Sequence, residues 1–99
     1  MKTDIQAIHF KADAKLKDYI NRKIDKLSTF YDGIVDSQVF LKVHNISEKE
    51  NKEVEIKVNA KHFSFIKKEV GRSFEAATDL AVEALKRQVK KFKQKTADH

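Results

Sequence analysis

The stretch EVEIKVNA, Glu53–Ala60, puts Val54, Ile56, Val58 and Ala60 at every second position, with Glu55, Lys57 and Asn59 between them. Successive side chains of a strand point to opposite faces, so this segment predicts a β-strand with one apolar and one wet face. Strands of that type belong to antiparallel sheets that pack one side on a core. QVFLKVH, Gln38–His44, reads the same way with Val39, Leu41 and Val43 inward, and HFSFIKKEV, His62–Val70, predicts a further strand. The charged stretch SEKENKE, Ser47–Glu53, joins the first two, and Lys61 with its neighbours joins the last. Connections this short make antiparallel neighbours.

Both flanks of this block are helical in pattern. Upstream, Ile5–Phe10 reads as a short strand, after which Asp13 offers a side-chain oxygen to cap a helix running to about Phe30. Leu16, Tyr19, Ile20, Ile24, Leu27 and Phe30 recur at spacings of three and four and form one apolar stripe. Asp32 and Gly33 follow, and a glycine there can take the left-handed conformation that ends a helix or opens a turn. Downstream, Ser73 caps a helix running to about Lys95, with Phe74, Ala81, Leu85, Val89 and Phe92 on one side and Ala77 and Val82 at its margins. The order is β-α-β-β-β-α. One apolar sheet face and two amphipathic helices predict an α+β two-layer sandwich, with a four-stranded sheet and both helices on one face. The first helix is the right-handed crossover between parallel strands one and two.

Composition bounds what such a fold can do. The chain has 99 residues, expected to form one domain over 1–99, and 40% hydrophobic against 36% charged residues is a globular balance. There is no cysteine, so neither a disulfide framework nor a thiolate metal site is available. MKTDIQAIHF carries Asp4 and His9 and lacks the apolar run of a signal peptide, and the expected location is cytoplasmic. His9, His44, His62 and His99 show no ligand spacing, and no metal or cofactor is expected. Nothing resembles a nucleophile elbow, a phosphate-cradling glycine loop or a zinc-hydrolase helix, so an enzyme is not expected. Glu48, Glu50, Glu53 and Glu55 read as a solvated loop and strand face.

The charge is more informative. Lys and Arg number 21 against 15 Asp and Glu, a formal +6, and LKRQVKKFKQK, Leu85–Lys95, holds six cations and no anion. Cations complement the carboxyl end of a helix, but each contributes only about 0.3 to 1 kcal/mol and the effect fades within a turn, so six exceed that need. Such a surface points to a polyanionic partner. On a helical wheel Lys86, Arg87, Lys90, Lys91 and Lys93 lie opposite or beside the apolar stripe, whereas Glu75, Asp79 and Glu83 occupy the first half of the helix. Glu83 and Arg87 have the spacing of a stabilising pair. On the first helix Lys15, Arg22 and Lys26 flank the stripe, while Lys23 falls within its arc, either covering the core edge with its stem or standing between the helices.

IQAIHFKADAKLKDYINRKIDKLSTFYDGI, three strands and then SFEAATDLAVEALKRQVKKFKQK together resemble the short ribosome hibernation-promoting factors, or ribosome-associated inhibitors. The most specific parts are Tyr19, Lys23, Lys26 and Leu27 on the first helix, and Ala76–Ala81 leading into Leu85, Arg87, Gln88 and Lys91. The resemblance implies a non-catalytic protein that occupies the messenger and transfer RNA channel of the small ribosomal subunit in starved or stationary bacterial cells and blocks translation. It implies ribosomal RNA contacts at Lys23, Lys26, Arg87, Lys90 and Lys91; the charge map adds Arg22, Lys86 and Lys93. The family commonly has an acidic residue, a methionine and a tyrosine where this chain has Ser73, Phe74 and Glu75, and a lysine in place of Ala84. Long members add a dimerisation domain, which this chain is expected to lack, and a separate ribosome-dimerising factor is left open. The alternative is a general structured-RNA-binding module related to double-stranded RNA-binding domains. Membrane association through the last helix is disfavoured because its apolar side is needed for the core, and no small-molecule substrate is implied.

Overall fold

The computed structural model of the chain describes residues 2–31, 33–44, 47 and 49–97, with side chains in the last helix described up to Lys93. Asp32, Glu48, His99 and the side chain of Lys95, all named above, lie outside the described residues. The elements are β1 (Lys2–Ala7), α1 (Ala14–Phe30), β2 (Ile34–Val43), β3 (Lys52–Ala60), β4 (Ser64–Gly71) and α2 (Phe74–Ala97). They form one four-stranded sheet in the order β1-β2-β3-β4, with β1 parallel to β2 and the other pairs antiparallel. This is the β-α-β-β-β-α sandwich that the hydrophobic pattern predicts.

Val39, Leu41, Val54, Ile56 and Val58 present one sheet face, and each is fully buried against Ile20, Ile24 and Leu27 of α1 and Ala77, Ala81 and Leu85 of α2. Burying a side chain of this size contributes about 1.5 to 3 kcal/mol, so this layer dominates the stability. Helix α1 begins as its sequence dictates, with the Leu16 amide donating to Asp13 Oδ1 at 2.8 Å. Helix α2 begins likewise, with the Ala76 amide donating to Ser73 Oγ at 3.0 Å.

Several boundaries differ from the sequence expectation. β1 runs Lys2–Ala7 rather than Ile5–Phe10. Its polar start is tolerated because Lys2 and Asp4 point outward while Thr3 meets the Ser37 hydroxyl across the ladder at 2.8 Å. It ends where His9 adopts a positive φ of 64°, a conformation that breaks a strand. Phe10 is therefore not a strand residue, and its ring instead stacks on Phe74, centroids 5.2 Å apart. β2 begins at Ile34 rather than Gln38, with a register irregularity between Ile34 and Asp36.

Gly33 does not use the left-handed conformation open to it, since neither glycine has a positive φ. Helix α1 closes with the Tyr31 amide donating to the Leu27 carbonyl at 2.9 Å, and Tyr31 itself is extended. What position 33 requires is space: a Cβ there would stand 2.5 Å from Tyr31 Cζ. β4 begins at Ser64, because His62 belongs to a turn closed by the Ala60 amide on the Phe63 carbonyl at 2.8 Å.

Candidate nucleic-acid interface

Tyr19 of α1 meets Asp79 of α2, and Phe30 of α1 meets Lys86 and Lys93 of α2. The contacts advance together along both helices, so α1 and α2 run side by side in the same direction, and α2 continues to Ala97 past the carboxyl end of α1. The two helix dipoles thus point the same way, and the negative end of α1 lies against the flank of α2. The last turn of α1 has no basic residue of its own. Lys93 supplies one from the neighbouring helix: its Nζ donates to the Phe30 carbonyl at 3.0 Å and stands 5.2 Å from the centre of the Phe30 ring. Lys86 Nζ lies 5.6 Å from the same ring.

Lys23 stands between the helices, the second of the two placements its position in the apolar arc allowed. Its Nζ is 3.4 Å from Asp79 Oδ1 and 5.5 Å from the centre of the Tyr19 ring. The Tyr19 hydroxyl donates to the same Asp79 oxygen at 2.7 Å. That hydrogen bond, with partial burial and the nearby charges of Asp79 and Glu75, pushes the phenol up to about 12. Arg22 pairs with Asp18 at 3.0 Å on the exposed side of α1.

Lys26, Arg87, Lys90 and Lys91 are exposed, and no ion pair holds them among the described residues. The expected Glu83–Arg87 pair is not formed: both side chains point into water, where fixing two long chains gains little. The predicted cations thus divide by environment. Lys23, Lys86 and Lys93 line the junction of the helices, Arg22, Lys26, Arg87 and Lys90 face solvent, and Lys91 lies toward β4, beside Phe65, Gln88 and Phe92. Of the family positions that differ here, Glu75 is exposed and Ala84 is buried at 9% exposure.

The sequence reading missed two features. One is the Tyr19–Asp79–Lys23 junction, which joins residues about sixty positions apart. The other is a cluster of Tyr31, Phe63, Phe65 and Phe92, in which the Phe63 and Phe92 rings approach to 4.1 Å. The aromatic alternation Phe63-Ser64-Phe65 was its one visible signal.

Among the described residues no group of three His, Asp or Glu side chains could hold a metal ion, and no helix is long and apolar enough to cross a membrane. The fold and helices define a class: a two-layer α+β domain with exposed cations on two adjacent, parallel helices. The profile of a family described as sigma 54 modulation protein / S30EA ribosomal protein matches residues 3–97, and the chain belongs to that family. It is 30% identical over 95 residues to the ribosome hibernation promotion factor of Bacillus subtilis, covering 96% of this chain and 50% of that protein. The chain therefore spans about half the length of that relative. It is 28% identical to the ribosome hibernation promoting factor of Pseudomonas putida, covering 96% of this chain and 89% of that one. Among solved structures, the N-terminal domain of Thermus thermophilus Protein Y superposes with a TM-score of 0.76 at 26% identity, covering 93% of this chain and 99% of that domain. A ribosomal subunit interface protein from Coxiella burnetii shares the fold, with a TM-score of 0.84 at 15% identity over 95% of this chain and 99% of that one.

Proposed function

We propose that the chain is a ribosome hibernation factor: a non-enzymatic, cytoplasmic single domain that binds the small ribosomal subunit in the messenger and transfer RNA channel and blocks translation under stress or in stationary phase. Family membership supports ribosome association, and relatives similar over nearly the whole chain are named for hibernation. The observation that carries the reading is a group of exposed cations with no ion pair among the described residues, Lys26, Arg87, Lys90 and Lys91, in the carboxyl-terminal halves of two adjacent parallel helices. Arg22, Lys23, Lys86 and Lys93 flank them and complete the proposed RNA surface.

No chemistry is needed for this action. Lys and Arg replace condensed counterions along phosphates, so affinity falls steeply with salt, and a rigid two-layer body supplies the fit to a structured RNA site. Backbone contacts of this kind position the protein without reading sequence. Charge reversal tests the assignment: Arg87→Glu or Lys91→Glu weakens ribosome association and flattens its salt dependence while the domain stays folded. Unchanged association with the fold intact would exclude these residues from the interface.

A further inference from the structure

The flank of α2 that faces β4 carries a feature the basic surface does not explain. Phe65 of β4 and Phe92 of α2 line a shallow cleft of about 250 Å³ together with Gln88 and Lys91. The two rings stand 5.8 Å apart at 77°, braced from behind by Phe63, whose centroid is 4.1 Å from Phe92 and 5.4 Å from Phe65. Tyr31 closes the cluster at 6.3 Å from Phe92. All four rings are only half-buried, and Phe92 lies beyond Val89, the last fully buried side chain described in α2. The wall is apolar and open to solvent, and among the described residues its rim bears the cation Lys91 and no acidic side chain.

We propose that this cleft receives one unpaired nucleobase of a single-stranded RNA segment, stacked on the Phe65 ring with its edge against Phe92, with the Gln88 amide at the base edge and Lys91 on the adjoining phosphate. Every base has a π-face, and aromatic platforms beside cationic side chains are how proteins hold single strands. An amide supplies both donor and acceptor to a base edge, and a lysine supplies a compact charge to a phosphate. The inference deepens the RNA-binding reading and rests on it, adding a contact on the side of α2 away from Lys86 and Lys93.

The test titrates the full chain with a short single-stranded RNA carrying 2-aminopurine at one position, and with an oligonucleotide of equal length that is abasic there. Phe65→Leu and Phe92→Leu keep an apolar side chain, and circular dichroism with a thermal melt checks that each folds. The native chain is expected to prefer the base-bearing strand by about tenfold and to quench its fluorescence. Phe65→Leu, and Phe92→Leu where it folds, bring that preference close to one, while Lys91→Gln weakens both strands alike. Equal affinity of the native chain for both strands, or unchanged quenching in folded Phe65→Leu, overturns the proposal. So does displacement of the RNA by an uncharged phenylalanine-rich peptide at comparable concentration, which would give the cleft to a protein side chain. Ribosome co-sedimentation run beside it separates the two readings: pelleting without base preference sinks the cleft alone, and base preference without pelleting sinks hibernation alone.

Discussion

Lys93 Nζ donates a hydrogen bond of 3.0 Å to the carbonyl oxygen of Phe30, so a lysine of α2 caps the carboxyl end of α1. Part of the basic tail therefore stabilises the fold. Lys93→Ala is expected to lower stability by about 0.3 to 1 kcal/mol through lost dipole complementation. Lys90→Ala, at a position with no such partner, stays within about 0.5 kcal/mol. Urea unfolding followed by circular dichroism distinguishes them, and an equal midpoint shift in both variants would deny Lys93 its capping role.

Tyr19 should titrate late. Its hydroxyl is pushed from 10.0 to about 12 because the neutral phenol donates to Asp79. A folded value above the unfolded one means that the hydrogen bond contributes its full stability below pH 10 and loses it as pH rises through about 12. Absorbance of the phenolate should show this tyrosine ionising well after an ordinary one, and Asp79→Ala should bring it down toward 10.0. No downward movement in Asp79→Ala would mean that the carboxylate does not hold the phenol.

Gly33 is needed for room rather than for torsional freedom. Gly33→Ala sets a methyl 2.5 Å from Tyr31 Cζ, at the far end of a partly exposed side chain, and should cost about 0.5 to 1.5 kcal/mol, the range for pushing that ring off its rotamer. In Tyr31→Ala the clash is absent, so adding Gly33→Ala to that background should cost much less. Additive losses in the double variant would show that the ring is not what position 33 accommodates.

Ile56 and Ile66 lie on adjacent strands but on opposite faces, the first fully buried and the second 53% exposed. Ile56→Ala should cost about 2 to 5 kcal/mol, and Ile66→Ala no more than about 1 kcal/mol. Comparable losses would show that Ile66 packs against the core and that β4 has the opposite facing.

The same pair explains what a sequence can disclose here. β3 is flanked by strands on both sides and buried on one face, so its period of two is strict and readable. β4 is an edge strand, and there Lys67 and Glu69 share the helix-facing side with Phe65 because long charged chains reach water past the sheet edge. Its facing could not be read from hydrophobicity alone. Both caps, Asp13 and Ser73, were legible because capping is local. The types and positions of the basic residues were equally plain. Which of them are engaged was not, since Lys23 with Asp79 and Lys93 with Phe30 join residues 56 and 63 positions apart. The constraint on Gly33 was not legible because it is a neighbouring ring rather than its own backbone.

The most direct measurement is co-sedimentation of the purified chain with bacterial ribosomes and separated subunits across a salt series, with excess duplex RNA as competitor. Hibernation predicts saturable binding to small subunits and whole ribosomes that resists the duplex, weakens steeply with salt, and disappears when messenger and transfer RNA fill the channel. Binding that duplex RNA removes equally well, or no association even at low salt, would contradict it.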